Sequence, residues 1–226
     1  MFIGHYGVSL AAKRYNPRLS LAALFLAVQF LDVLFSVFVL AGVEKLRIVH
    51  GFTAFNPHDL YFMPYSHSLL GALVWSVVFA TVFLVVARRD AIPRRLAAAA
   101  VLAAAVFSHF LLDVPMHTRD LPLGPGAGSP KIGLGLWNHP VSAIAAELAV
   151  FVAGGLVYLR ATRPRSRGAR VATVAFGLGL LALTVATPLM PDPPSARAFG
   201  IQALVSYVLL ALVAGAIDRR RSMTAD

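Results

Sequence analysis

Six apolar runs, at 19–43, 66–87, 96–114, 140–159, 171–190 and 198–217, alternate along the chain with short segments rich in Arg, Lys, Pro and Gly. About 20 consecutive apolar residues in helical form cross the hydrocarbon of a bilayer, so each run predicts one transmembrane helix. A shorter apolar segment, 1–14, ends in Lys13-Arg14 and is followed by the turn pair Asn16-Pro17. Its charges follow the apolar stretch rather than precede it, the wrong order for a secretory signal. The segment predicts a half-helix, either folded back against the first span or lying in the membrane interface as an amphipathic helix. In the folded-back arrangement, a rise of about 1.5 Å per residue carries His5 roughly 12 Å past an interfacial Lys13. The expected fold is an all-α, polytopic membrane helix bundle, a single domain over 1–226 with six spans and the half-helix 1–14.

Composition agrees with the pattern. Hydrophobic residues make up 58% of the 226, charged residues 13%, and mean hydropathy is +0.75, values that exclude an ordinary soluble domain. The absence of cysteine removes disulfides, thiolate metal sites and cysteine nucleophiles. A net charge of +10 would suggest nucleic acid in a soluble protein, but here the charges are sorted by side. With the N-terminus placed in the cytoplasm, the inner loops collect Lys13, Arg14, Arg18, Arg88, Arg89, Arg94, Arg95, Arg160, Arg163, Arg165, Arg167, Arg170, Arg219, Arg220 and Arg221. The outer side keeps Lys45, Arg47, Arg119, Lys131 and Arg197. This bias predicts both termini on the cytoplasmic side. The cations then serve as topology determinants and contacts to anionic membrane lipids, with no nucleic-acid partner.

Candidate chemistry comes from polar groups that interrupt the apolar runs. The third span closes on SHFLLDVPMHTRD, and residues four apart on a helix share a face, so His109 and Asp113 should converge. Pro115 is expected to end or kink that helix, which makes His117 the weakest member of the four-step series. His67 stands at the outer end of the second span, at the depth of His109 and Asp113, and His139 stands at the outer rim of the fourth. Asp32 lies near the middle of the first span and Glu147 about two turns below His139. Carboxylates at membrane depth are expected to face the bundle interior and to be functional. His139 and Glu147, eight residues apart, sit about 80° from a common face. His50 and His58 read as ordinary loop residues. The Gly- and Pro-rich loop after His117 should fold over the site, and the last two spans, with Thr184, Gln202, Ser206 and Tyr207, read as scaffold.

Imidazoles and carboxylates without thiolates suit a divalent metal, zinc first. The expected ligands are His67, His109, Asp113, His5 and His139, with Glu147 or Asp32 as general base toward a metal-activated water. That predicts a hydrolase acting at the outer face on a lipid or phosphoester. The alternative is a proton- or cation-coupled transporter or channel that uses Asp32, Glu147 and the histidine cluster.

The phrases GHYGVSLA, SHSLLGA and SHFLLD resemble the membrane-bound metal-dependent hydrolases of bacterial inner membranes, typified by a DNA-damage-regulated member. That family carries an N-terminal Gly-His, an acidic motif after the first span, a His-Arg-Gly-x-Thr-His-Ser-like motif and a Ser-His-x3-Asp motif. The resemblance covers roughly the first half of the chain and implies metal-binding roles for His5, Asp32, His67, His109 and Asp113, and a location in the bacterial inner (plasma) membrane. The chain departs from the pattern in having a single Asp in the acidic motif. Phe62 stands where the first His of the His-Arg-Gly motif would be, and Met63-Pro64 replaces Arg-Gly. These departures imply at most one metal rather than two.

Overall fold

The computed structural model describes residues 1–87, 91–126 and 128–224. Arg88 and Arg89, two of the cations assigned to the inner side, lie outside the described residues. The helices are α1 (Ile3–Tyr15), α2 (Leu21–Val28), α3 (Phe30–Leu40), α4 (Leu69–Val86), α5 (Ile92–Met116), α6 (Pro140–Ala161), α7 (Arg167–Ala186) and α8 (Ala196–Asp218). Helices α4 to α8 are each long and apolar enough to cross a membrane, and α2 with α3 makes a sixth candidate, bent by 57°. The molecule is a multi-pass, all-α membrane protein.

Among the described residues, sheet is confined to three two-stranded antiparallel ribbons. They pair β1 (Lys45–Ile48) with β2 (His58–Phe62), β3 (Leu121–Pro122) with β4 (Lys131–Ile132), and β5 (Thr162–Pro164) with β6 (Arg221–Met223). The β5–β6 ribbon ties the end of α6 to the end of α8. Beside it the Lys13 ammonium donates to Asp218 at 2.7 Å and to the Leu19 carbonyl at 2.8 Å, fixing the end of α1 to the same pole. The β1–β2 ribbon and the loop after α5 occupy the opposite pole.

The half-helix is buried, not interfacial. Ile3, Gly4, His5, Tyr6, Gly7, Ser9 and Leu10 of α1 are all shielded, Tyr6 stacks on Phe25 of α2 at 4.3 Å, and the Ser9 hydroxyl donates to the Leu24 carbonyl. Its main partner, however, is α6 rather than the first span. A Cβ on Gly154 would lie 1.9 Å from the Gly7 carbonyl oxygen, and one on Gly7 would lie 2.3 Å from the Val150 carbonyl oxygen. Only a pair without side chains permits that approach, the small-residue packing by which helices associate in lipid.

The first span is broken at Gln29, between α2 and α3. Helix α5 runs one residue past Pro115, and the His117 amide still donates to the Asp113 carbonyl at 2.9 Å. A proline in the last turn removes a single donor near an end where carbonyls need outside partners anyway. Those partners come from the following loop: the amides of Leu134 and Gly135 donate to the carbonyls of Val114 and His117. The expectation that Pro115 detaches His117 from the series is therefore corrected.

Candidate metal centre

Three helix ends and the break in the first span bring six side chains together. His5 comes from α1, Asp32 from α3 just beyond the break, His67 from the turn leading into α4, His109 and Asp113 from one face of α5, and His117 from its C-cap. Asp113 is the hub. Its Oδ1 lies 3.2 Å from Nε2 of His5, and its Oδ2 lies 3.1 Å from Nε2 of His109, 3.6 Å from that of His117 and 3.9 Å from that of His67. Asp32 Oδ1 lies 3.2 Å from Nε2 of His67 and 3.6 Å from Nε2 of His109. The α-amino nitrogen of Met1 is 2.6 Å from Asp113 Oδ1.

The other ring nitrogen of each of three histidines is tethered. Nδ1 of His109 meets the Val28 carbonyl at 2.6 Å, at the break between α2 and α3. Nδ1 of His117 meets Asp120 at 2.9 Å, and Nδ1 of His67 meets the Ser66 hydroxyl at 2.8 Å. The Ser66 hydroxyl in turn donates to the buried Glu44 carboxylate, which also accepts from the amides of Tyr65 and Ser66. A carbonyl or carboxylate only accepts, and the Ser66 hydrogen is already given to Glu44, so Nδ1 carries the ring hydrogen in all three neutral imidazoles. Their Nε2 lone pairs then face carboxylate oxygens. Lone pair against carboxylate is repulsive in a buried site unless a proton or a metal cation lies between; the Met1 ammonium neutralises only the Oδ1 side of Asp113.

The geometry fits such a cation. Two ligand atoms about 2.1 Å from a four-coordinate ion stand about 3.4 Å apart, and the His–Asp separations of 3.1 to 3.9 Å bracket that value. Two compact triads, His5–His109–Asp113 and Asp32–His67–His109, share His109. Nε2 of His109 and both ring nitrogens of His5 are buried without a hydrogen-bond partner among the described residues, although the two rings stack at 3.9 Å. Buried polar atoms left orphaned in this way call for a partner. The tethering of Nδ1 by Val28, Ser66 and Asp120 is the arrangement that orients imidazoles as metal ligands.

One side of the cluster is sealed and the other open. Asp32, His67, Asp113 and His117 line a cavity of about 360 Å³, whereas His5 and His109 lie behind them. The far wall of the cavity comes from the β1–β2 ribbon, from α8 and from the turn between α7 and α8. The ring of Trp137, in the loop after α5, packs against that of His117 at 4.2 Å, tilted by 41°, so that loop does lie against the cluster as expected.

Two sequence expectations are corrected. His139 is exposed at the N-cap of α6 and does not join the cluster. Glu147 is buried at the cavity's edge, but its two oxygens accept from the amides of Phe2 and Gly4 at 2.7 and 2.8 Å. It caps the N-terminus of α1, whose amides have no partners within the helix, and this makes it an anchor for His5 rather than a free base.

Several contributors escaped the sequence reading. Asp120 could have been found as the carboxylate three residues after His117, and Ser66 as the neighbour of His67. Glu44, 22 residues from Ser66, and the Val28 carbonyl carry no local signal. Comparison with family models, with curated proteins and with solved structures returned no match.

Proposed function

We propose that the protein is a membrane-embedded, metal-dependent hydrolase that cleaves a lipid or phosphoester ester bond with water. The convergence of Nε2 atoms on Asp113 and Asp32 at ligand–ligand distances, with Nδ1 tethered on the opposite side of the His67, His109 and His117 rings, carries the reading. His67, His109 and Asp113 would hold the ion, with His5 and His117 completing the donor set and Asp32 at the cavity side. Zinc suits this nitrogen- and oxygen-rich set. When bound, the ion supplies Lewis acidity and brings the pKa of water toward neutrality. Asp32, whose side chain is 19% exposed where those of the other donors are nearly buried, is the carboxylate placed to take a proton from water entering through the cavity. Asp120, Ser66 and the Val28 carbonyl hold the imidazoles in their orientation. The resemblance to inner-membrane metal-dependent hydrolases through His5, Asp32, His67, His109 and Asp113 supports the same assignment, as it does the location in a bacterial inner membrane with both termini cytoplasmic.

Metal analysis of detergent-purified protein tests it. About one equivalent of zinc, manganese or iron is expected, reduced at least tenfold in His109→Ala, with chelator-sensitive hydrolysis of lipid vesicles restored by zinc. Absence of stoichiometric metal, with the same content in His109→Ala, would refute it.

A further inference from the structure

Helices α7 and α8 carry no member of the metal cluster, yet both line the cavity that opens onto it. Thr184 and Leu183 of α7 and Gln202, Ala203, Ser206 and Tyr207 of α8 form its far wall. Gln202 and Ser206 are exposed, and being four residues apart they share one face of α8. Gln202 lies about 9 Å along α8 from Ala196, inside a candidate span. Among the described residues its amide has no hydrogen-bond partner. An unpaired amide facing acyl chains at that depth is costly, whereas one at the edge of a cavity can meet a polar group of whatever enters. The cavity is thus polar at the cluster, apolar along Phe35, Leu183, Phe199 and Ala203, and walled in part by two helices long and apolar enough to cross a membrane.

We infer that the gap between α7 and α8 admits a membrane lipid sideways from the bilayer, its ester at the His67–Asp32–His117 end and an acyl chain along Leu183, Phe199 and Ala203. The ligand class is a chain-bearing amphiphile, not a water-soluble phosphoester. The inference rests on the hydrolytic reading for what happens at the polar end. The chain-binding wall stands on its own geometry.

Trp137 lines the same cavity and is buried from the surroundings, and the chain contains one other tryptophan, Trp75. Full-length Trp75→Phe protein, reconstituted in phosphatidylcholine vesicles with or without bromine on the acyl chains, therefore reports chain occupancy by quenching. A cavity encloses most of the surface of its ligand, so bromolipid is expected to lower Trp137 emission by about half. Adding Ala203→Phe, or Ser206→Phe at an exposed position that tolerates a larger side chain, is expected to restore the emission. Emission indifferent to bromine, or equally quenched in both filled variants, would overturn the inference. The readout needs no metal. Relieved quenching in protein that holds none would therefore support chain binding while removing the hydrolytic reading.

Discussion

Glu147→Gln separates an anchoring carboxylate from a catalytic one. The two shapes are nearly identical, but the amide offers one acceptor oxygen where the carboxylate offers two. In the wild type Oε1 accepts from Phe2 and Oε2 from Gly4. The variant must turn an NH2 toward one of these backbone N–H groups, losing a hydrogen bond to a charged group worth about 1.5–3 kcal/mol and leaving a buried donor unpaired at about 1–3 kcal/mol. Partial relaxation of α1 returns some of this, so a net loss of about 3 kcal/mol is expected. For a chain of this length that corresponds to a fall in Tm of roughly 6–12 °C. Because α1 carries His5, loosening it also disturbs the donor set, and metal affinity should weaken by about tenfold or more. Thermal unfolding in detergent, followed by fluorescence, and metal titration of the same preparation measure both effects. If Glu147→Gln instead leaves Tm and metal affinity unchanged while abolishing turnover, the anchoring role is wrong and Glu147 is the general base after all.

Asp120→Asn leaves every cluster residue in place but weakens the tether on Nδ1 of His117. Metal affinity should drop about 10- to 100-fold with little change in Tm, and an unchanged affinity would place His117 outside the donor set. Gly154→Leu puts a side chain where even a Cβ meets the Gly7 carbonyl oxygen at 1.9 Å. The α1–α6 contact should open and protease should cleave near the N-terminus, whereas Gly155→Leu, with open space beside it, should resist cleavage as the wild type does. His58, in β2 against Phe199, has its pKa pushed down to about 4 by burial, which outweighs the pull of the Asp192 and Asp32 carboxylates. The folded value lies below the ordinary His pKa of about 6.5, so the unfolded chain binds the extra proton first. The stability His58 contributes is full above about pH 6.5 and is lost as pH falls toward 4. Relative to His58→Gln, the wild type should lose about 2 kcal/mol across that window, and parallel stability curves for the two proteins would refute the assignment.

Periodicity determined the architecture, because lipid allows few ways to satisfy a backbone and apolar runs of span length leave the helix as the default. The four-residue step from His109 to Asp113 was equally legible, since one helix fixes both residues. What the local pattern could not supply was the geometry between elements. His117 stayed in the series because loop amides from Leu134 and Gly135 cap the helix end beyond Pro115. His5 reached Asp113 because Gly7 and Gly154 let α1 sink against α6. Glu147, which as an isolated membrane carboxylate looked catalytic, acquired partners only when the N-terminus of α1 arrived beside it. His139, expected at the depth of the cluster, stands exposed at the N-cap of α6 instead. Sequence spacing fixes which residues of one helix point together, while the choice of partner across helices rests on close packing, and that is decided only when the whole bundle is assembled.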